Sequence, residues 1–309
     1  MKGRSPRPLD DGGVPDGGYP RRVPEIRAAT VDDAEHVFQL LDARSRAAFG
    51  ASEVSRPLVL REFRRSVDDR FVAIEGGRVV GYAHLRPSHA VVVAAGDAAT
   101  ADALLASVEE HARARGVEAI EATVVAADAP FHSLVERSGF AHERVVLRMW
   151  RMLDEAIAAP TWVAGVSVRT YDERDGPAVK ALLDAAYAWD AHYAPQSYDE
   201  WHSYMTDHDE FDPTLWFLAE RNGDLVACAL HWKEHNRGGW LKDIAVHEGA
   251  RGAGLGRSLV RHGLRAYETR GVERVGLKVD AANPTGAAAL YGREGFVIDQ
   301  HLEIWRKAL

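Results

Sequence analysis

The sequence predicts an α+β protein built from two tandem copies of one unit, and three observations carry that prediction. Strand-like and helix-like segments recur in one order, first over residues 26–140 and again over residues 166–306. The two stretches also share short phrases. Residues 114–118 read Ala, Arg, Gly, Val, Glu and residues 269–273 read Thr, Arg, Gly, Val, Glu, while Arg137, Ser138, Gly139 and Phe140 match Arg293, Glu294, Gly295 and Phe296. Such self-similarity marks a duplicated unit of roughly 130–145 residues. The third observation is an apolar segment, 240–246, that runs into a glycine-rich turn with helical periodicity straight after it.

Each element has its own local reason. Residues 1–24 repeat Pro, Gly, Asp and Arg with little apolar content, and are expected to form a disordered tail. Residues 26–29 read as a short strand, and Thr30 as the N-cap of the helix that follows. Segments 70–75 and 78–85 read as two strands around Gly76 and Gly77, a hairpin signal. A strand at 91–93, a helix over 98–115, a strand over 117–125 and a helix over 129–137 complete the first copy. Residues 154–163, with Pro160, are expected to link a first domain, 25–153, to a second, 164–309. In the second copy a strand at 166–170 precedes helices over 175–187 and 198–205. A hairpin over 215–220 and 224–232 turns at Asn222 and Gly223. The strand 240–246, a helix over 254–270, a strand over 274–279 and a helix over 285–293 follow, and Gly295, Phe296 and residues 301–306 close the unit.

Composition narrows the class. A chain of 309 residues is long enough for two domains, and its 46% apolar and 27% charged content is that of a globular protein. No run approaches the about 18 apolar residues of a membrane span, and the N-terminus lacks the apolar core of a signal peptide. The single cysteine, Cys228, excludes an intrachain disulfide, which fits a cytoplasmic location. A net charge of −8 argues against a general nucleic-acid binder and is compatible with a cationic small substrate.

The turn after 240–246 reads Arg251, Gly252, Ala253, Gly254, Leu255, Gly256. A strand, a glycine turn bearing an arginine and a helix N-terminus make a pocket for a diphosphate, because glycines let backbone N–H groups approach and the helix end presents unpaired donors. The Gly-Lys-Ser/Thr of a P-loop is absent, and a dinucleotide fingerprint belongs after the first strand of its domain.

The spacing Arg251, Gly254, Gly256 after Ile244, Ala245 and Val246, with Asn283, Ala287, Leu290, Tyr291, Gly295 and Phe296 downstream, resembles the GCN5-related N-acetyltransferase (GNAT) superfamily. The tandem outline is similar to the mycothiol synthase-like acetyltransferases. The resemblance spans nearly the whole chain, while its diagnostic motifs sit in the second copy alone. It implies two tandem GNAT-like domains, each a mixed, mostly antiparallel central sheet flanked by helices, with acetyl-CoA as acyl donor and no metal. It further implies that Ile244, Ala245 and Val246 bond the pantetheine arm through their backbone and that Arg251, Gly252, Ala253, Gly254, Leu255, Gly256 and Arg257 hold the diphosphate. Asn283 would bond the pantetheine region, Tyr291 would protonate the leaving thiolate, and the N–H of Ile244 would stabilise the oxyanion.

The first copy departs from this pattern. It has Asp97 and Asp102 where an anion needs donors, and Val135 at the position of Tyr291. It is expected to be a scaffold that packs on the active copy. The second copy departs once: many relatives carry a Glu six residues before the valine matching Val246, and here that residue is Trp240. Asp243 is the best substitute as an ammonium-binding and proton-relaying carboxylate, and Asp280 is a weaker one. The segment after the first helix mixes aromatics and acids, with Trp189, His192 and Tyr193 beside Tyr198 and Trp201, which suits a cation with a partly apolar body. Trp189, His192, Tyr193 and Trp240 are the candidate acceptor-binding residues. His202, His208, His231 and His235 form no metal-ligand spacing.

The expected function is direct attack of a small primary amine on the thioester of acetyl-CoA. A protein N-terminus or lysine as acceptor, and a CoA-binding sensor without turnover, are the alternatives. No nucleic-acid or membrane partner is expected, and monomer and homodimer both stay open.

Overall fold

The computed structural model describes residues 24–309 apart from residues 87, 88, 194 and 236. All but Pro24 of the expected disordered tail lies outside the described residues. The first half runs β1 (Glu25–Ala28), α1 (Ala34–Phe49), α2 (Arg56–Arg65), β2 (Arg70–Glu75), β3 (Arg78–Leu85), β4 (Ala90–Ala95), α3 (Ala98–Ala114), β5 (Ala119–Val125), α4 (Ala129–Arg137) and β6 (Ala141–Met152). Thr30 and Asp33 form a capping box around the 3-10 turn that leads into α1. Gly76 and Gly77 both take positive φ, 56° and 78°, as the tight hairpin turn between β2 and β3 demands.

The second half repeats the order as β7 (Val166–Thr170), α5 (Gly176–Tyr187), α6 (Tyr198–Thr206), β8 (Phe217–Arg221), β9 (Asp224–His235), β10 (Gly238–Val246), α7 (Leu255–Thr269), β11 (Arg274–Asp280), α8 (Ala287–Arg293) and β12 (Val297–Ala308). Residues 154–163 run beside α7, where Arg265 donates to the carbonyl of Ile157 at 3.0 Å and Ser258 to that of Thr161 at 2.6 Å.

The twelve strands of the described residues form one sheet in the order β1-β2-β3-β4-β5-β12-β6-β11-β10-β9-β8-β7. Pairing is antiparallel except between β4 and β5 and between β10 and β11. The α+β class and the mixed, mostly antiparallel sheet therefore agree with the sequence. The halves are joined in a way the sequence reading does not contain: they exchange their final strands. β6 pairs with β11 of the second half along Arg274–Asp280, and β12 pairs with β5 of the first half along Ala119–Val125. Neither α2 nor β6 is expected from the sequence, so the exchange was out of view.

Alternation along the strands separates two layers. On one face α3 and α4 cover Ala73, Ala83 and Val93, and α7 and α8 cover Ala229, Leu241 and Leu277. On the other, α1 and α2 cover Val72 and Tyr82, and α5 and α6 cover Cys228, Leu230 and Trp232. Between these two pairs no helix of the described residues packs on β12, β6 and β11, which leaves a groove on that face. No helix among the described residues is long and apolar enough to cross a membrane.

Candidate active site

The site begins where two strands part. β10 and β11 run parallel and pair only from Gly239 to Leu241, although β10 continues to Val246 and β11 to Asp280. The edge of β10 beyond Leu241 therefore faces an opening. On its other side Asp243 pairs with Leu230 and Ala245 with Cys228, and the N–H of His247 reaches the carbonyl of Val226. Antiparallel ladders alternate, so Ile244 and Val246 turn their backbone groups into the opening. Lys242 is an extra residue between Leu241 and Asp243 in the ladder with β9, a bulge that bends β10 away from β11.

Next to this opening stands the N-terminus of α7. Its N-cap is Gly254, at φ 83°, which offers no side chain to the first-turn donors. Gly252 also has positive φ, 78°, and a Cβ at either position would meet open space. The donors of the first turn are thus turned outward and uncapped, an arrangement that suits an anion. Arg251 lies beside them, its Nε donating to the carbonyl of Val246 at 3.1 Å. Arg257 is committed elsewhere: with Arg261 it holds Glu294, which is 5% exposed at the end of α8. Ala253 belongs to the same turn. Asn283 caps its own loop, accepting from the N–H of Thr285 at 2.9 Å.

Tyr291 lies on α8 with its ring against Phe296 at 5.8 Å, and is 5% exposed. Burial, aided by the negative charge of Asp243, pushes its pKa above the usual tyrosine range. The same two causes act on Tyr187 at the end of α5 and push the Cys228 thiol up to about 12. Asp243 is therefore the electrostatic centre of the cluster. Tyr187 donates to its Oδ1 at 3.2 Å and Lys242 to its Oδ2 at 3.1 Å.

A cavity of ≈120 Å³ opens onto Asp243 from the side of α5 and α6, lined among others by Tyr187, Tyr193, Trp201, Met205 and Lys242. Tyr193 stacks near Tyr187 at 5.4 Å and donates to Asp184 at 2.5 Å. Of the other acceptor-side candidates, His192 approaches Glu143 at 3.6 Å in the groove, and Trp189 is 36% exposed. Trp240 sits differently from the expectation. It is 4% exposed, packs edge-on against Trp150 at 5.5 Å and His235 at 5.0 Å, and lies outside the cavity lining, because β6 inserts Trp150 over it. Tyr187 and Lys242 were not among the candidates. Tyr187 follows Lys180 and Leu183 at helical spacing, the one sequence signal that placed it on the inward face of α5.

The first half shows the same splay, with β4 and β5 paired only at Ala90 and Val91. Its equivalents of the site are filled. Asp97 caps α3, accepting from the N–H of Thr100 at 2.9 Å, and so covers the donors that Gly254 leaves free. Arg44 reaches from α1 into the gap, bonding the carbonyl of Val93 and, through Nε at 2.6 Å, the carboxylate of Asp128, with its guanidinium 4.8 Å from the ring centre of Phe131. Val135 takes the position of Tyr291 and is fully buried.

Residues 179–296 match the model of the acetyltransferase (GNAT) family. The chain is 33% identical over 295 residues to a mycothiol acetyltransferase of Streptomyces bingchenggensis, spanning 89% of this chain and 93% of the relative. It belongs to the GNAT acetyltransferase family. A mycothiol acetyltransferase of Kineococcus radiotolerans is 35% identical over 284 residues, 86% of this chain and 90% of its own length. Among solved structures, a GCN5-related N-acetyltransferase from Sphaerobacter thermophilus superposes with a TM-score of 0.78 at 25% identity, covering 92% of this chain and 95% of that one. A tandem GNAT protein from the clavulanic acid biosynthesis pathway, at 18% identity, shares the fold with a TM-score of 0.72 over 92% of this chain and 98% of its own. As a GNAT member the chain is an N-acetyltransferase, and the tandem form extends over both halves.

Proposed function

We infer that the second half of this chain acetylates the primary amine of a small molecule with acetyl-CoA. The observation that carries this reading is the meeting of three things at one splay: the uncapped N-terminus of α7, the buried Tyr291 and the carboxylate of Asp243. The residues present fit a CoA thioester. Glycines with positive φ and open space above them leave room for a diphosphate on the first-turn donors, and the backbone of Ile244 faces the gap where an extended arm would lie. Bound there, acetyl-CoA supplies an activated acyl group.

The chain's own groups then do the following. Asp243, with Tyr187 fixing one carboxylate oxygen, attracts the ammonium form of the acceptor to the mouth of the splay. The ammonium must lose a proton before its nitrogen can attack, and Asp243 relays that proton through water. As the new C–N bond forms and the C–S bond breaks, Tyr291 donates its proton to the sulfur. Its raised pKa ensures that the proton is present at neutral pH. A small acceptor accords with the relatives, which are named for mycothiol, a small molecule, and with a cavity of ≈120 Å³ beside Asp243.

The test is calorimetric titration with acetyl-CoA followed by assay of CoA release with a panel of amines. One site per chain is expected, since Asp97 and Arg44 fill the first half. Tyr291→Phe should keep acetyl-CoA affinity within about threefold and lower kcat by about 100-fold or more. Binding without release of CoA in the presence of any amine would support a sensor instead. Transfer confined to peptide amines would move the acceptor to proteins.

A further inference from the structure

The groove between the two halves carries several cations, and most of them hold an acid. Arg148, 7% exposed on β6, is clamped by Glu53 at 2.7 Å and by Asp299. Arg144 reaches Asp280 at 3.2 Å, and Lys242 reaches Asp243. Lys278 is different. It lies opposite Arg148 on the neighbouring strand, yet its exposed side chain has no hydrogen bond or ion pair among the described residues. Arg86, just after β3 in the first half, stands close enough to Lys278 to act on its charge, and its side chain likewise has no such partner among the described residues.

Position gives these two cations meaning. Leu277 and Leu241 are the last paired residues of β11 and β10. Lys278 is the next residue of β11, so it stands at the mouth of the splay, across the opening from Lys242 and Asp243. Alternation puts Lys278 on the face shared with Gly276 and Asp280, opposite to Leu277 and Val279, which pack beneath α7 and α8. It therefore faces the groove from which an acceptor enters, away from the uncapped helix end. Crowding and the nearby charges of Arg148, Arg86 and Lys242 pull its pKa down to about 8. Glu53 alone acts against these cations, so the exposed ammonium, set mainly among like charges, gains when an anion arrives.

We propose that Lys278, with Arg86, docks an acid group of the acceptor, so that the acceptor is an amino acid or a similarly short zwitterion whose amine lies toward Asp243. This rests on the acetyl-transfer reading for the role of the amine, while the anion site is a separate feature of the groove. A positive point and a negative point flank one opening, and a molecule with one charge of each sign satisfies both. A simple amine brings Lys278 no counter-charge.

The experiment uses the whole chain and two readouts. The first is CoA release with saturating acetyl-CoA and a panel of free amino acids, each beside its C-terminal amide. The acids should exceed the amides at least about tenfold in kcat/KM, the order expected of a charge-assisted contact. Lys278→Gln and Arg86→Gln should each erase that preference by raising KM about tenfold while kcat stays within about twofold. Equal use of acid and amide by the unmodified protein overturns the proposal, as does a preference that survives both substitutions. The second readout is the rate of modification of Lys278 by an amine-reactive ester, followed by mass spectrometry with and without the same compounds. Free amino acids should protect Lys278 and amides should not; lack of protection overturns the site. Protection without turnover on any amine would sink the acetyl-transfer reading and leave the anion site standing. Turnover on amines that lack an acid, with Lys278 unprotected, would do the reverse.

Discussion

Tyr187 at the end of α5 donates to Asp243 on β10 at 3.2 Å, which ties the acceptor-side helix to the bulged strand of the splay. Lys242 holds the second oxygen, so the carboxylate is fixed from both sides. Asp243→Asn keeps the shape and removes the charge. It should lower kcat/KM by about 100- to 10,000-fold with acetyl-CoA affinity unchanged. Tyr187→Phe removes one hydrogen bond and should cost about tenfold. Steady-state CoA release, with calorimetry as the control, checks both; equal activity of Asp243→Asn and the parent would remove Asp243 from the reaction.

Gly254 and Asp97 occupy equivalent places in the two halves, and only the first leaves its helix end open. Gly254→Asp should copy the closed half. A carboxylate at the first turn competes for the donors and repels a diphosphate, so the dissociation constant for acetyl-CoA should rise at least about tenfold. Gly254→Ala separates this from backbone strain at φ 83°, and should weaken binding far less. Comparable losses in the two variants would mean that strain, not charge, governs the site.

Arg44 and Asp128 pair inside the splay of the first half, where the guanidinium also satisfies the carbonyl of Val93. Arg44→Ala leaves a largely enclosed carboxylate without its partner and should destabilise the protein by about 1–3 kcal/mol, read as a shift in the urea midpoint. The stoichiometry of acetyl-CoA should stay at one, because Asp97 still caps α3. A second site appearing in this variant would show that Arg44 alone closes that half.

Two buried histidines set the acid limit of the fold. Burial, with Arg70 beside it, lowers the pKa of His84 to about 3, and burial lowers that of His231 to about 3. Both are neutral in the folded chain, and an unfolded histidine takes its proton near about 6.5. Between these values the unfolded state binds more protons, so stability falls as pH drops below about 6.5 and the loss is complete near about 3. Each histidine contributes a slope of about 1.4 kcal/mol per pH unit within that window. Urea midpoints at successive pH values should show this, and His84→Gln should remove the share of the slope that His84 contributes. A flat profile between neutrality and pH about 5 would contradict the buried neutral state of both rings.

Much of the fold follows from local signals. The hairpin at Gly76 and Gly77, the helix Ala129–Arg137 and the strand Val166–Thr170 lie where turn residues and periodicity place them. β6 escaped because Arg144 and Arg148 stand at inward positions of a strand, where an unpaired charge is excluded. Their partners, Asp280, Asp190, Glu53 and Asp299, are distant in sequence. The duplication itself held the missing clue: the phrase ending in Phe296 leads into β12, and its twin ending in Phe140 leads into β6. In the site, Gly254, Tyr291 and Asp243 were legible from spacing and family likeness. Tyr187 and the burial of Trp240 were not, since both depend on which strands lie beside β10.

The strand exchange has a consequence for a chain made from its N-terminus onward. β5 is synthesised with no neighbour for its outer edge, and its partner β12 is nearly the last segment to appear. β6 meanwhile waits for β11. The first half cannot close before the second has been translated, so for most of synthesis an unpaired edge is exposed to other nascent chains. The first half, whose helix end Asp97 caps, is thereby bound to the second half at birth, and its persistence needs no activity of its own.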